Sequence, residues 1–144
     1  MTEVAFHFNA PDKSGYLCRL LRKAVLKGAR VAVTGDDGIL RQFDLDLWTF
    51  SALDFVAHCD AGQDAGMLAA SPVVFCKSPD TSPHQQVLLN LGPGVPAGFE
   101  RFERLIEVVG TDDAERAAAR RRWKHYLDRG YAIARHDLAS REVH

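Results

Sequence analysis

The residues best suited to chemistry lie between positions 110 and 126, where arginines, alanines and aromatic side chains are concentrated. Arg116, Arg120 and Trp123 recur at three-to-four spacing, which places them within roughly 60° of one another on a helix. Two guanidinium groups that flank an aromatic ring can bind an apolar side chain together with carboxylates, through burial and bidentate hydrogen bonds. The spacing therefore predicts a surface that binds acidic and apolar groups together.

The same arginines and tryptophan have two other interpretations. They could form a solvated basic face with Trp123 in the core. Runs of charged residues are usually solvated, and tryptophan side chains are usually largely buried. They could also contact single-stranded DNA by stacking and phosphate pairing, although a formal net charge of -1 gives the protein no overall basic excess. Periodicity alone leaves all three interpretations open.

Neighbouring residues indicate where this helix begins and what lies beside it. Asp112 and Glu115 have the spacing of a capping box, with Asp in place of Ser or Thr. Val108 and Val109 end the preceding strand, so we expect an apolar floor beside the basic rim. Leu127 falls in the same sector of the helix as the two arginines.

Two turns have part of a phosphate-binding loop and lack the rest. Lys13 and Ser14 follow the first strand, but without the preceding glycines that let backbone amides approach a phosphate. Gly92 and Gly94 flank Pro93, which removes an amide donor and disfavours entry into a helix. The sequence therefore contains no nucleotide-binding motif.

Metal-ligand spacings and catalytic motifs are also missing from the sequence. Cys59 follows His58, yet no Cys-x-x-Cys or His-x-x-x-His pair lies near them. Asp112 and Asp113 open a helix, where acids stabilise the positive end of the dipole, and no Gly-x-Ser-x-Gly elbow supplies a nucleophile. We therefore expect no catalytic residue, no metal ion and no cofactor.

Short β-rich runs alternate with helical patterns along the chain. The pattern predicts strands at residues 4–8, 30–34, 55–58, 72–76, 86–90, 105–109 and 132–136. It predicts a first helix that starts at the turn of residues 9–12, has periodic apolar positions from Tyr16 and stops at Gly28, and a second that begins at residues 35–37 and carries Leu40, Phe43, Leu47 and Trp48. It also predicts a short turn at 99–104 and a long helix at 112–129. Alternation of this kind favours a single α/β domain over residues 1–144, with three layers and a mostly parallel, Rossmann-like sheet flanked by helices.

Length and composition indicate how such a domain is stabilised and in which cellular compartment it works. A chain of 144 residues can bury one core without disulfides or metals as staples. The three cysteines are odd in number and widely spaced, and no secretory segment precedes the first strand, so we expect a reducing cytoplasm. No apolar run approaches the roughly 20 residues of a membrane-spanning helix, so we expect no contact with membranes.

Several stretches together resemble the chi subunit of bacterial DNA polymerase III, and the resemblance covers nearly the whole chain. They are Ala5-Phe6-His7-Phe8, Leu47-Trp48, Asp54-Phe55-Val56-Ala57-His58, Phe99-Glu100-Arg101-Phe102, Ile106-Glu107-Val108-Val109, Arg122-Trp123-Lys124-His125-Tyr126 and Gly130-Tyr131. The resemblance implies a nucleotide-binding-like α/β fold without nucleotide chemistry. It also implies a non-catalytic bridging function in DNA replication.

On one side of that bridge, the resemblance implies binding to the acidic C-terminal tail of single-stranded DNA-binding protein, which ends in an aromatic residue with a free carboxylate. Carried over by position, Val109 and Trp123 would line the aromatic pocket, while Arg116 and Arg120 would meet the carboxylates. Lys124 belongs to the same predicted tail-binding set. Trp123 stands where other members can carry tyrosine, and Arg116 where lysine can occur. DNA itself would be contacted only through this partner.

On the other side, the resemblance implies binding to the psi subunit, which tethers chi to the clamp loader. Trp48 and Phe55 are placed at or near that surface, although both could be core residues. Two other functions are kept as alternatives to the adaptor. One is a nucleotide-dependent enzyme that uses the switch point of the sheet, and the other is direct binding of single-stranded DNA through residues 116–124.

Overall fold

The computed structural model describes residues 1–50, 58–60 and 72–139, with the backbone alone at residues 50 and 58–60. These residues contain one parallel sheet, with strands β1 (Glu3–Ala10), β2 (Val31–Thr34), β3 (His58–Asp60), β4 (Val73–Cys76), β5 (Val87–Asn90), β6 (Arg104–Gly110) and β7 (Ile133–Asp137). The α-helices are α1 (Lys13–Leu26), α2 (Asp37–Phe50) and α3 (Asp113–Asp128), and short 3-10 turns lie at Pro79–Thr81 and Phe99–Arg101.

The strand order along the sheet is β3-β4-β2-β5-β6-β1-β7. This order confirms the predicted α/β class with a largely parallel sheet. β1 lies between β6 and β7 and pairs in parallel with both, although both are far from it in the sequence. Because parallel strands run in one direction, the carboxyl ends of these three strands meet at one edge of the sheet, beside the start of α3.

Different elements cover the two faces of the sheet, which gives the domain its three layers. Helices α1 and α2 pack on one face, where Leu21 and Phe43 join a core cluster. Helix α3 and the turn at Phe99–Arg101 pack on the opposite face, where Tyr126 joins a second cluster. Strand β6 supplies both clusters by alternation: Ile106 and Val108 belong to the first, Leu105 and Val109 to the second.

Local hydrogen bonds set the ends of α1 and α2. The Asp12 carboxylate accepts a hydrogen bond from the Gly15 amide at 3.1 Å and begins α1, and the Asp36 carboxylate accepts one from the Ile39 amide at 2.9 Å where α2 begins. Gly28 follows α1 with a φ of +82°, a left-handed conformation that glycine adopts without strain. This confirms the predicted stop at Gly28.

Most strand ends differ from the prediction by one or two residues, and two predicted elements differ by more. The turn predicted at 99–104 ends at Arg101, because Phe102 is already extended and Arg104 pairs with Glu3 and Val87 as the first residue of β6. The strand predicted at 55–58 coincides with β3 only at its last residue. Its residues 55–57 lie outside the described residues.

Two of the three cysteine thiols are buried in the sheet and helix layers. Burial raises the pKa of Cys18 and of Cys76 to about 11, so both thiols remain protonated at neutral pH. The side chain of Cys59 lies outside the described part of the chain. Within the described ranges, no cluster of three His, Cys, Asp or Glu residues could hold a metal ion, and no helix is long and apolar enough to cross a membrane.

Candidate functional site

A cleft of about 400 Å³ opens where the carboxyl ends of β1, β6 and β7 meet the first three turns of α3. Its apolar walls come from β1, β6 and the helix, and its lining consists of Phe6, Phe8, Asn9, Val109, Gly110, Arg116, Ala119, Arg120, Trp123 and Arg135. Four of the five predicted tail-binding residues, Val109, Arg116, Arg120 and Trp123, therefore line a single cavity. The remaining one, Lys124, is outside the lining.

The basic rim of the cleft is formed by Arg116 and Arg120, which lie one turn apart on α3 and are both exposed. Among the described residues, no carboxylate forms an ion pair with either guanidinium group. As far as the described residues show, both cations are therefore available to an external acid.

Trp123 is half-buried and forms a wall of the cleft rather than part of the closed core. Its ring packs against Phe6 with centroids 5.0 Å apart and planes tilted by 58°. Val109, only 3% exposed, forms the floor next to it. Trp123 therefore packs against the core cluster and also borders the open cavity.

Arg135 is a third cation of the cleft that the sequence did not indicate. Its guanidinium carbon lies 5.5 Å from the centre of the Trp123 ring and 5.9 Å from that of Phe8, within the range of cation-π attraction. It reaches the site because β7 pairs with β1 and sets Arg135 directly beside Phe6. Only knowledge of this strand order could have revealed it.

The other residues of the basic helix point elsewhere. Leu127 lies on the same side of the helix wheel as the two arginines, but it is 57% exposed and lies outside the lining of the cleft. Lys124 is exposed, with its ammonium 3.8 Å from the Asp128 carboxylate. Arg121 is exposed. Arg122 turns inward and is buried, with its Nε 3.1 Å from the Glu107 carboxylate.

The start of α3 confirms only half of the expected capping box. The Asp112 carboxylate accepts a hydrogen bond from the Glu115 amide at 3.0 Å. The Glu115 side chain turns to the neighbouring strand instead, where Oε1 accepts hydrogen bonds from the Gly110 amide at 2.9 Å and from Lys13 Nζ at 2.5 Å. Glu115 therefore joins the starts of α1 and α3 across the ends of β1 and β6.

This junction coincides with a switch point of the sheet. The chain leaves β1 toward α1 on one face and leaves the adjacent β6 toward α3 on the other, which is where open α/β sheets usually bind ligands. Here Glu115 and Lys13 meet in that position. The lysine of the phosphate-loop-like turn is consequently paired with a carboxylate of its own chain.

The predicted psi-binding residues are only partly described. Trp48 lies on α2 and is 54% exposed, and Leu45 on the same helix is 56% exposed. Leu40, Phe43 and Leu47 of this helix are buried against the sheet. Trp48 is thus a surface residue rather than a core residue, while Phe55 lies outside the described residues.

Comparison with known proteins identifies the family of this chain. A family model described as DNA polymerase III chi subunit, HolC, matches residues 1–134. The chain belongs to the DNA polymerase III chi subunit family. A chi relative from Pseudomonas aeruginosa, named DNA polymerase III subunit chi, is 32% identical over 143 residues that cover 96% of this chain and 98% of that protein.

Membership of the chi family makes this chain an accessory subunit of DNA polymerase III. The matched span contains the whole cleft except Arg135, which lies one residue beyond it. It also contains α2 with its exposed tryptophan. Both surfaces predicted for chi partners therefore belong to the part of the chain that matches the family, apart from that single arginine.

Proposed function

We propose that this chi subunit is an adaptor that links the clamp loader, through psi, to the acidic C-terminal tail of single-stranded DNA-binding protein. One observation carries the proposal: Arg116 and Arg120 border the same open cleft as Trp123, and neither arginine has a carboxylate partner among the described residues. An acidic chain that ends in an aromatic residue offers the complementary groups. Its ring can occupy the apolar cavity while its carboxylates meet the guanidinium groups.

The walls and the rim of the cleft bind different parts of the tail. Val109 and Trp123 supply apolar surface to the terminal side chain, and Arg116 with Arg120 supplies charge-assisted hydrogen bonds. Lys124 is exposed next to Trp123 and outside the lining, so we assign it long-range attraction to acids further along the tail. The local positive charge matters because the protein as a whole carries a formal charge of -1.

Tethering through this cleft requires only a weak contact. A dissociation constant on the order of micromolar, about -8 kcal/mol, suffices, because single-stranded DNA displays many tails and raises their local concentration. Affinity should fall as salt is added, since the arginines at the rim are exposed to screening. The proposal further holds that the subunit acts without catalysis, in the cytoplasm where the other replication proteins work.

The first test is titration of a labelled tail peptide against wild type and Arg120→Ala. We expect the variant to bind about tenfold more weakly, because one charge-assisted contact is worth about 1.5–3 kcal/mol at most in such a site. Arg121→Ala is the matched control. It removes the same charge from the adjacent, exposed position that does not line the cleft, and it should change the affinity less than twofold.

Equal affinities for wild type and Arg120→Ala would refute the proposed tail site. A parallel titration with a single-stranded oligonucleotide and no partner protein addresses the alternative function. If the oligonucleotide binds tightly and Arg120→Ala weakens that binding instead, the cleft is a nucleic-acid site.

For the second partner, we propose that psi binds the surface of α2 around Trp48, with Phe55 as a further contact. Exposed Leu45 lies three residues before Trp48 and therefore on the same side of the helix, so the two form an apolar patch. A half-exposed tryptophan beside a second apolar side chain is typical of the anchor residues of protein interfaces.

Replacing Trp48 by glutamate should weaken the complex with psi at least about 30-fold, because a tryptophan anchor contributes about 2 kcal/mol or more. Leu127→Glu provides the control, since Leu127 is similarly exposed but lies on α3, across the sheet from α2. Affinity for purified psi is the measurement. Loss of binding in both variants, or in neither, would contradict the assignment of this surface.

A further inference from the structure

A buried polar cluster lies beneath α3, directly below the cleft. Its centre is Glu107 on β6, which is fully enclosed and whose neighbour Val109, two residues on, forms the floor of the cavity. The carboxylate accepts hydrogen bonds from Arg122 Nε at 3.1 Å, from the Tyr126 hydroxyl at 2.7 Å and from Asn90 Nδ2 at 3.1 Å. Three side-chain donors therefore converge on one buried carboxylate.

Arg122 and Tyr126 donate their hydrogen bonds to this carboxylate from consecutive turns of the same helix. They are four residues apart on α3 and thus share one face of it. Arg122 also donates from Nη1 to the Pro93 carbonyl at 2.9 Å, which fixes the loop after β5 to the same helix. Helix α3 is consequently anchored to β6 and to a loop by directional bonds.

Few apolar side chains of α3 specify its rotation, and the half-buried Trp123 packs against the same core cluster as its buried apolar residues. The buried residues of α3 are Ala119, Arg122 and Tyr126, so a methyl group and one aromatic ring are the only apolar side chains among them. Three consecutive arginines, at 120, 121 and 122, differ by about 100° in direction, and a rotation of this size would exchange one for the next. Such a rotation would turn Arg120 and Trp123 away from the cleft.

We infer that Glu107, through its hydrogen bonds with Arg122 and Tyr126, fixes the rotation of α3 about its axis. It selects which arginine faces inward and thereby positions Arg120 and Trp123 at the cleft. Buried polar groups have this role where several packings have similar energies, because any other arrangement leaves a charge unpaired. Glu107 and Arg122 are positioning residues that do not touch a ligand. The inference rests on the proposed tail-binding function, which it extends.

The test replaces the polar cluster by apolar groups of similar volume, in the triple variant Glu107→Leu, Arg122→Met and Tyr126→Phe. Such replacements preserve folding in many proteins because they remove all partners together. With 5-fluorotryptophan incorporated, wild type should give one sharp ¹⁹F resonance for Trp123, identified by its loss in Trp123→Tyr. In the triple variant we expect this resonance to split or broaden and the affinity for the tail peptide to fall about tenfold. The Trp48 resonance, from the opposite face of the sheet, should not change.

Glu107→Gln provides a second variant that keeps the side-chain volume and removes the charge. It should also split or broaden the Trp123 resonance and weaken tail binding, even if the triple variant fails to fold. A single sharp Trp123 resonance in either folded variant, with wild-type affinity for the tail, would overturn the inference. If wild type itself does not bind the tail, the proposed function fails, whereas the ¹⁹F spectra still decide whether the cluster fixes the rotation of α3.

Discussion

Arg122→Ala should lower the free energy of unfolding by about 3–5 kcal/mol, because it leaves the Glu107 carboxylate buried without its cationic partner. Arg122 is 5% exposed and Glu107 is fully enclosed, so the pair lies in the interior, where loss of one charged partner costs most. Urea denaturation of wild type and variant measures the difference. Arg121→Ala, from the exposed position next to it, should change the free energy by no more than about 0.5 kcal/mol.

The destabilisation by Arg122→Ala should depend on pH in a defined direction. Burial raises the pKa of Glu107, and Arg122 is the charge that most opposes this rise. In the variant the folded state therefore holds a proton on Glu107 at pH values where the unfolded state has lost it, so stability falls as the pH rises through that window. The variant should accordingly be closer to wild type near pH 5 than near pH 8. A pH-independent difference would indicate that Glu107 is not the group left unpaired.

Arg116→Glu combined with Arg120→Glu should abolish measurable binding of the tail peptide, with a loss of at least about 100-fold, or about 3 kcal/mol. The two substitutions remove the guanidinium groups of Arg116 and Arg120 from the rim of the cleft and repel the acidic peptide. Both arginines are exposed, so folding should be unaffected. Isothermal titration at low salt, where attraction is strongest, gives the largest measurable range.

A second double variant, Arg101→Glu with Arg121→Glu, is the control for the change in net charge. It makes the same change in formal charge at exposed positions outside the cleft, and it should bind the peptide within about threefold of wild type. Equal losses in the two double variants would mean that overall charge, rather than the cleft, attracts the tail. The comparison therefore separates a specific site from non-specific electrostatics.

The amino-acid sequence by itself determined the features that depend on near neighbours in the chain. Strand and helix periods predicted the elements of the sheet, and Gly28 and Asp112 marked helix ends through local backbone preferences. The common face of Arg116, Arg120 and Trp123 was also predictable. It follows from the pitch of one helix and needs no information about the elements that surround it.

The tertiary structure alone decided which partners these local features meet. Arg135 reaches the cleft because β7 pairs with β1, and Arg122 is buried because it meets Glu107 of β6. Trp48 points outward because other residues of α2 fill the contact with the sheet. The covalent chain fixes the direction of a side chain relative to its own helix or strand, but its surroundings depend on strand order and helix packing, which arise from contacts between residues far apart in sequence.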